Sequence, residues 1–130
     1  MRSTVRLFLA IEGVSFVLAA SVHFGVLTRG YQHAAAATAE SVIATVLLVA
    51  FALTWALPDR TRMIGIAAQG FALLGTLVGV FTIAIGVGPR TVPDLVYHAA
   101  ILLVLAWGLL VAARAPAAGL GARGASHSAA

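Results

Sequence analysis

The chain has 130 residues, of which 62% are hydrophobic and 9% are charged, and its mean hydropathy is +1.05. Soluble domains carry about 25% charged residues, so this composition excludes an ordinary soluble fold and indicates an integral membrane protein. The absence of cysteine excludes disulfides and thiolate metal ligands. A transition-metal site would therefore have to use imidazole and carboxylate groups.

Four apolar segments predict an all-α fold, a four-transmembrane-helix antiparallel bundle. Each segment has about the 20 residues that span a bilayer, and the short connections between them make neighbouring helices antiparallel. The predicted helices cover residues 5–27, 34–57, 63–87 and 92–113. Residues 115–130 are rich in Ala, Gly and Ser, and they are predicted to form a flexible cytoplasmic tail.

The net charge of +4 comes from eight arginines, which occur singly between the apolar segments. They form no basic cluster, so no nucleic-acid partner is predicted. The excess of arginine on one side predicts that both termini are cytoplasmic. The inside arginines are Arg2, Arg6, Arg60, Arg62, Arg114 and Arg123, and the outside ones are Arg29 and Arg90. A cleaved signal peptide is an alternative for the first segment.

Four ionisable residues lie inside or at the rim of the predicted spans: His23, Glu40, Asp94 and His98. A charged group at the centre of a helix costs about 2.5 to 3.5 kcal/mol on insertion scales, so such residues tend to mark function. Counting about 1.5 Å per residue from the helix ends places His23, Glu40 and His98 about one to two turns below the outer surface. The i, i+4 spacing puts Asp94 on the same helix face as His98.

These groups predict a metal site, because a divalent cation would balance two buried carboxylates. Zinc is the first choice, with His23, Glu40 and His98 as ligands and Asp94 as a fourth ligand or as a partner that orients His98. Two simpler roles stay open: Glu40 can be a protonated packing residue, and Asp94 can be only the N-terminal cap or the first-turn anion of the fourth helix. His33 in the outer loop either completes the site or is an ordinary loop residue.

Three functions are compatible with this pattern. The first is a metal-binding protein with a structural, sensing or carrier role, since a four-helix bundle leaves little room for a substrate pocket. The second is a b-type haem protein with His23 and His98 as axial ligands. The third is a proton-linked transporter or accessory subunit in which Glu12, Glu40 and the histidines relay protons.

Two further patterns concern packing between the predicted helices. Glu12 and Gln69 lie at similar depths in the inner half, so we expect a hydrogen bond between them. Gly75 and Gly79 form a GxxxG motif, which permits close helix approach. That motif serves either packing within the bundle or a homodimer through the same face.

The run from Gln69 to His98 reads QGFALLGTLVGVFTIAIGVGPRTVPDLVYH. It resembles the small four-helix integral membrane proteins of bacteria, most of which have no assigned function. The resemblance implies a location in the bacterial inner membrane, and it implies no activity. The chain contains no phosphate-binding loop, HExxH motif or dinucleotide fingerprint.

Overall fold

The computed structural model describes residues 1–116, and within that range the regular structure is entirely helical. The helices are α1 (Arg2–His23), α2 (Ala34–Ala56), α3 (Thr61–Ala84) and α4 (Val92–Arg114). A short 3-10 turn, Pro58–Arg60, precedes α3. The predicted all-α class is confirmed, whereas most of the predicted tail, residues 117–130, lies outside the described residues.

All four helices are long and apolar enough to cross a membrane. Their outward faces carry large apolar side chains, such as Leu103 at 75% exposed and Met63 at 74%. In water such a surface would be unfavourable, since soluble monomers rarely expose large contiguous apolar patches. The bundle therefore has the outer surface of a multi-pass membrane protein.

Two helices end earlier than the apolar segments that predict them. The first apolar stretch continues to Leu27, but α1 ends at His23. The third continues to Val87, but α3 ends at Ala84. Each break is followed by a glycine with a positive φ, +74° at Gly25 and +82° at Gly86. Only glycine adopts this conformation readily, so it stops the helix inside an apolar run.

A buried polar pair joins α1 to α3 midway through the core. Nε2 of Gln69 donates to both carboxylate oxygens of Glu12, at 3.3 and 3.1 Å, and both residues are fully buried. Gly108 of α4 leaves the space they occupy, because a Cβ there would lie 2.5 Å from Oε1 of Glu12. The predicted Glu12–Gln69 hydrogen bond is confirmed.

Polar contacts at the start of α1 define one end of the bundle, here called the Arg2 end. Nη2 of Arg2 lies 3.0 Å from Oδ1 of Asp59. Nη2 of Arg6 donates to the carbonyl of Thr54 at 2.6 Å, and its guanidinium lies 4.0 Å from the ring centroid of Trp55. These contacts hold α1 against the α2–α3 connection. The end of α1 at His23 lies at the opposite side of the bundle, the His23 end.

The two glycines of the GxxxG motif face the interior of the bundle. A Cβ on Gly75 would lie 3.0 Å from Ile43 of α2, and one on Gly79 would lie 3.4 Å from Nε2 of His98 of α4. The motif is thus used for close packing within the chain. A homodimer through the Gly75/Gly79 face stays a prediction.

Candidate functional site

Three of the four predicted site residues form a hydrogen-bonded group at the His23 end, here called the His23 cluster: Glu40, His23 and Asp94. Nδ1 of His23 lies 2.7 Å from Oε2 of Glu40, and Nε2 lies 3.0 Å from Oδ1 of Asp94. The three residues are 3 to 7% exposed. One imidazole ring therefore links two carboxyl groups and joins α1, α2 and α4.

The two hydrogen bonds of the His23 cluster require two shared protons. Each bond requires one proton between a ring nitrogen and a carboxyl oxygen, but a neutral imidazole carries only one N–H. The second proton is either on the ring, giving an imidazolium between two carboxylates, or on one carboxyl group. In both cases the three side chains together carry one net negative charge.

Asp94 also stabilises the start of α4. Its carboxylate accepts hydrogen bonds from the backbone N–H of Thr91, at 3.3 Å, and from the Thr91 hydroxyl. The Thr91 hydroxyl also faces the Asp94 N–H, which completes a capping box. Thr91 is therefore the N-cap residue of α4 and Asp94 is its first-turn anion, but this is not the only role of Asp94, because its carboxyl group also contacts His23. A carboxylate in the first turn also interacts favourably with the helix dipole.

His98 lies on the next turn of α4 but does not contact the Asp94 carboxylate. Its Nδ1 lies 2.8 Å from the backbone carbonyl of Asp94. A carbonyl only accepts, so Nδ1 carries a proton, and Nε2 is an acceptor in the neutral form of the ring. Nε2 faces α3 beside Gly79. Among residues 1–116, no hydrogen bond reaches this nitrogen.

A cavity of about 170 Å³, here called the Glu40 cavity, lies between α2, α3 and α4 at the His23 end. Glu40 and His98 both line it, and the remaining walls are mostly apolar. Oε1 of Glu40 is buried without a hydrogen-bond partner in the described part of the chain. An unpaired buried acceptor costs about 1 to 3 kcal/mol, so this oxygen marks the cavity as a place where a donor is missing.

His33 closes the Glu40 cavity at the end of the bundle. Its Nδ1 accepts from the backbone N–H of Ala36 at 3.1 Å, which caps α2. Its Nε2 donates to the carbonyl of Val87 in the α3–α4 loop at 3.2 Å. With both nitrogens used in these contacts, His33 contributes a wall of the cavity and a tie between two loops.

A second, more open groove of about 350 Å³ lies on the other side of the His23 cluster, between α1 and α4. His23, Asp94 and Tyr97 line this groove, here called the Tyr97 groove. The Tyr97 hydroxyl lies 3.3 Å from that of Ser15. The His23 cluster therefore separates two recesses, with Asp94 on the groove side and Glu40 on the cavity side.

The predicted metal ligands are close together without forming a ready-made metal site. Within residues 1–116, no three His, Asp or Glu side chains are arranged to hold a metal ion. Both nitrogens of His23 face carboxylates, and Nε2 of His98 faces α3. Metal binding would require these side chains to turn, so it stays a prediction.

Thr91 belongs to the surroundings of the site, and the sequence patterns did not single it out. Thr91-Val-Pro-Asp94 fits the capping-box pattern, which is a usable sequence signal for Thr91. Gly79 leaves the space for the His98 ring. The GxxxG motif identified Gly79 only as a residue of close helix packing, because the face that α3 turns towards His98 depends on tertiary packing.

Comparisons with protein-family models, curated proteins and solved structures find no match to this chain. Its function must therefore be argued from its own residues.

Proposed function

We propose that this chain is a multi-pass protein of the bacterial inner membrane with both termini in the cytoplasm. The lengths and hydropathies of the four helices support membrane crossing. The Arg2 end carries Arg2, Arg6, Arg60 and Arg62, and the positive-inside rule favours the cytoplasm for such an end. This orientation puts the His23 cluster near the outer surface.

We further propose that the protein is proton-linked, as a transporter or an accessory subunit, and that His23 passes protons between Asp94 and Glu40. The observation that carries this proposal is the imidazole held by both nitrogens between two buried carboxyl groups. Imidazole is suited to proton transfer because either nitrogen can accept or donate near neutral pH.

The transfer needs only short proton movements. In one state Oε2 of Glu40 carries a proton that it donates to Nδ1 of His23, while Nε2–H donates to Asp94. Movement of that proton to Nδ1 leaves a Glu40 carboxylate and an imidazolium. Release of the other ring proton to Asp94 then completes one transfer from the cavity side to the groove side. The opposite sequence carries a proton from the groove side to the cavity side.

Proton uptake by reconstituted vesicles tests this role. Vesicles containing the protein and a pH-sensitive dye are given a membrane potential, and uptake is compared for the wild type, His23→Gln and Glu40→Gln. We expect both cluster variants to lose the uptake. Glu12→Gln is the matched control: Glu12 is bonded to Gln69 outside the cluster, the proposed relay does not include the proton-relaying role that the sequence allowed for it, and the variant should retain uptake. Equal uptake by the wild type and both cluster variants would contradict the proposal.

Metal binding is a second candidate, favoured by the net negative charge of the His23 cluster and the unpaired Oε1 of Glu40. Glu40 and His98 offer an oxygen and a nitrogen to one cavity, and zinc accepts both ligand types. Metal analysis of purified protein tests this candidate. A zinc content below about 0.1 equivalent, unchanged by His98→Gln, would exclude it, because structural zinc sites bind tightly.

The haem alternative requires His23 to leave at least one carboxyl group, because an axial ligand must offer a free nitrogen to the iron. No contact in residues 1–116 favours that change. The absorption spectrum after haem-supplemented expression tests it, and absence of a Soret band excludes haem.

A further inference from the structure

Two residues that line the Glu40 cavity, Glu40 and His98, each carry an atom without a hydrogen-bond partner in residues 1–116, and the cavity has few other polar groups. Its remaining polar lining is already engaged, since the Thr76 hydroxyl donates to Ala72 and the Thr82 hydroxyl donates to Gly79. His33 uses both of its nitrogens. A ligand in the cavity would therefore meet Oε1 of Glu40 and Nε2 of His98, and it must supply hydrogen-bond donors to both.

Charge narrows the class of ligand further. In its two-proton form the His23 cluster carries one net negative charge wherever the second proton lies, and the neutral form of His98 adds none. The side chains around the cavity include no lysine or arginine among the described residues. A ligand with one positive charge would balance the site, whereas an anion would add to an uncompensated charge in a low dielectric.

The volume of the cavity and its apolar walls determine what the uncharged part of the ligand can be. Apart from these polar groups, the walls are apolar, with Phe16, Ile43 and Val78 among them. An engineered apolar cavity of about 150 Å³ holds one benzene molecule, and the Glu40 cavity measures about 170 Å³. One aromatic ring or a short alkyl chain therefore fits, attached to the charged donor.

We infer that the Glu40 cavity binds a small primary ammonium ion with an apolar body, whose N–H groups donate to Glu40 and His98. The inference rests on the proposed function, because the carboxyl group that exchanges protons with His23 is also the one that faces the ligand. It names the class of molecule that would be transported together with the proton.

Isothermal titration calorimetry of the detergent-purified full chain tests the inference, with benzylamine as the probe and benzyl alcohol as its neutral counterpart. We expect benzylamine to bind at least about tenfold more tightly than the alcohol, because hydrogen bonds to charged groups are the stronger ones. Equal affinity for the two probes, or no binding of benzylamine, would overturn the inference. Binding of zinc chloride alone, without binding of benzylamine, would also overturn it.

Two pairs of variants locate the binding. Glu40→Gln should weaken benzylamine binding at least about tenfold, through loss of the charged acceptor, while Glu12→Gln should not change it. Gly79→Val should block the cavity beside His98. Gly70→Val is its matched control on α3, because a Cβ on Gly70 would meet nothing within 4 Å. Equal losses within either pair would overturn the assignment to this cavity.

The two proposals fail in different ways. Absence of benzylamine binding, with proton uptake that still depends on His23, would remove the ligand and leave the relay. Benzylamine binding that depends on Glu40, without His23-dependent uptake, would remove the relay and leave the ligand site.

Discussion

The contact between His23 and Glu40 can be measured as a coupling free energy. His23→Leu leaves two carboxyl groups buried without their imidazole partner, and breaking a buried ion pair in this way costs about 3 to 5 kcal/mol. Glu40→Met leaves Nδ1 of His23 unpaired, at a cost of about 1 to 3 kcal/mol. The double variant removes both partners, so its loss of unfolding free energy should be smaller than the sum of the losses in the two single variants.

The size of that difference depends on whether the bond is charge-assisted. Hydrogen bonds between neutral groups in a membrane protein average about 0.6 kcal/mol of coupling, whereas bonds to charged groups contribute about 1.5 to 3 kcal/mol. The 2.7 Å separation of Nδ1 and Oε2 lies in the range of charge-assisted bonds. We therefore expect a coupling free energy above about 1.5 kcal/mol for this pair.

Reversible unfolding in mixed detergent micelles gives the free energies of unfolding of the wild type, the two single variants and the double variant. These four values form a double-mutant cycle. Ser15 and Tyr97 provide the reference pair, because their hydroxyls lie 3.3 Å apart and both are neutral donors. The cycle of Ser15→Ala with Tyr97→Phe should give about 0.6 kcal/mol or less. A similarly small value for His23 and Glu40 would refute a shared charge in the His23 cluster.

Three further changes test contacts in the core and at both ends of the bundle. Gly108→Ala should lower the free energy of unfolding in mixed micelles by about 1 to 3 kcal/mol, since its Cβ would force apart the buried carboxyl–amide pair of α1 and α3. Gly70→Ala should cause no loss in the same assay. Thr91→Ala should cost about 1 kcal/mol by removing the cap of α4, and Thr91→Ser should recover most of it; equal losses would contradict the capping role. Arg6→Ala should shift the fluorescence of Trp55, read in a Trp107→Phe background, because the guanidinium lies on that ring. An unchanged spectrum would contradict this contact.

The architecture follows from hydropathy, but the ends of the helices do not. Apolar segments of sufficient length predict four helices even when it is not known which helices pack against each other. The end of α1 at His23 depends on Gly25, which adopts a positive φ inside an apolar run. A hydropathy pattern cannot distinguish this glycine from the helical Gly13 or Gly65, because the difference lies in local packing.

Counting residues along the helices places His23, Glu40 and His98 at one depth with Asp94 one turn away, but it does not predict that His23 pairs with Glu40 and Asp94 while His98 stays outside the cluster. Residue counting gives the level of a side chain but only a rough direction around the helix. His98 and Asp94 share a face of α4, yet Nδ1 of His98 bonds to the backbone of Asp94, and the carboxylate bonds to α1. Which partner each of these side chains bonds to depends on the rotation of α1 against α4, and only the packed structure determines that rotation.

The hydrogen bonds of the His23 cluster do not include α3. The cluster joins α1, α2 and α4, whereas α3 supplies to this end two threonines whose hydroxyls bond within α3. Further towards the Arg2 end, Gln69 ties α3 to α1. A tilt of α3 about Gln69 would therefore open the Glu40 cavity without breaking a bond of the cluster, at the expense of the tie between His33 and Val87. Because the chain has no cysteine, a pair of spin labels at Leu18→Cys and Phe81→Cys could report that tilt directly as a change in distance.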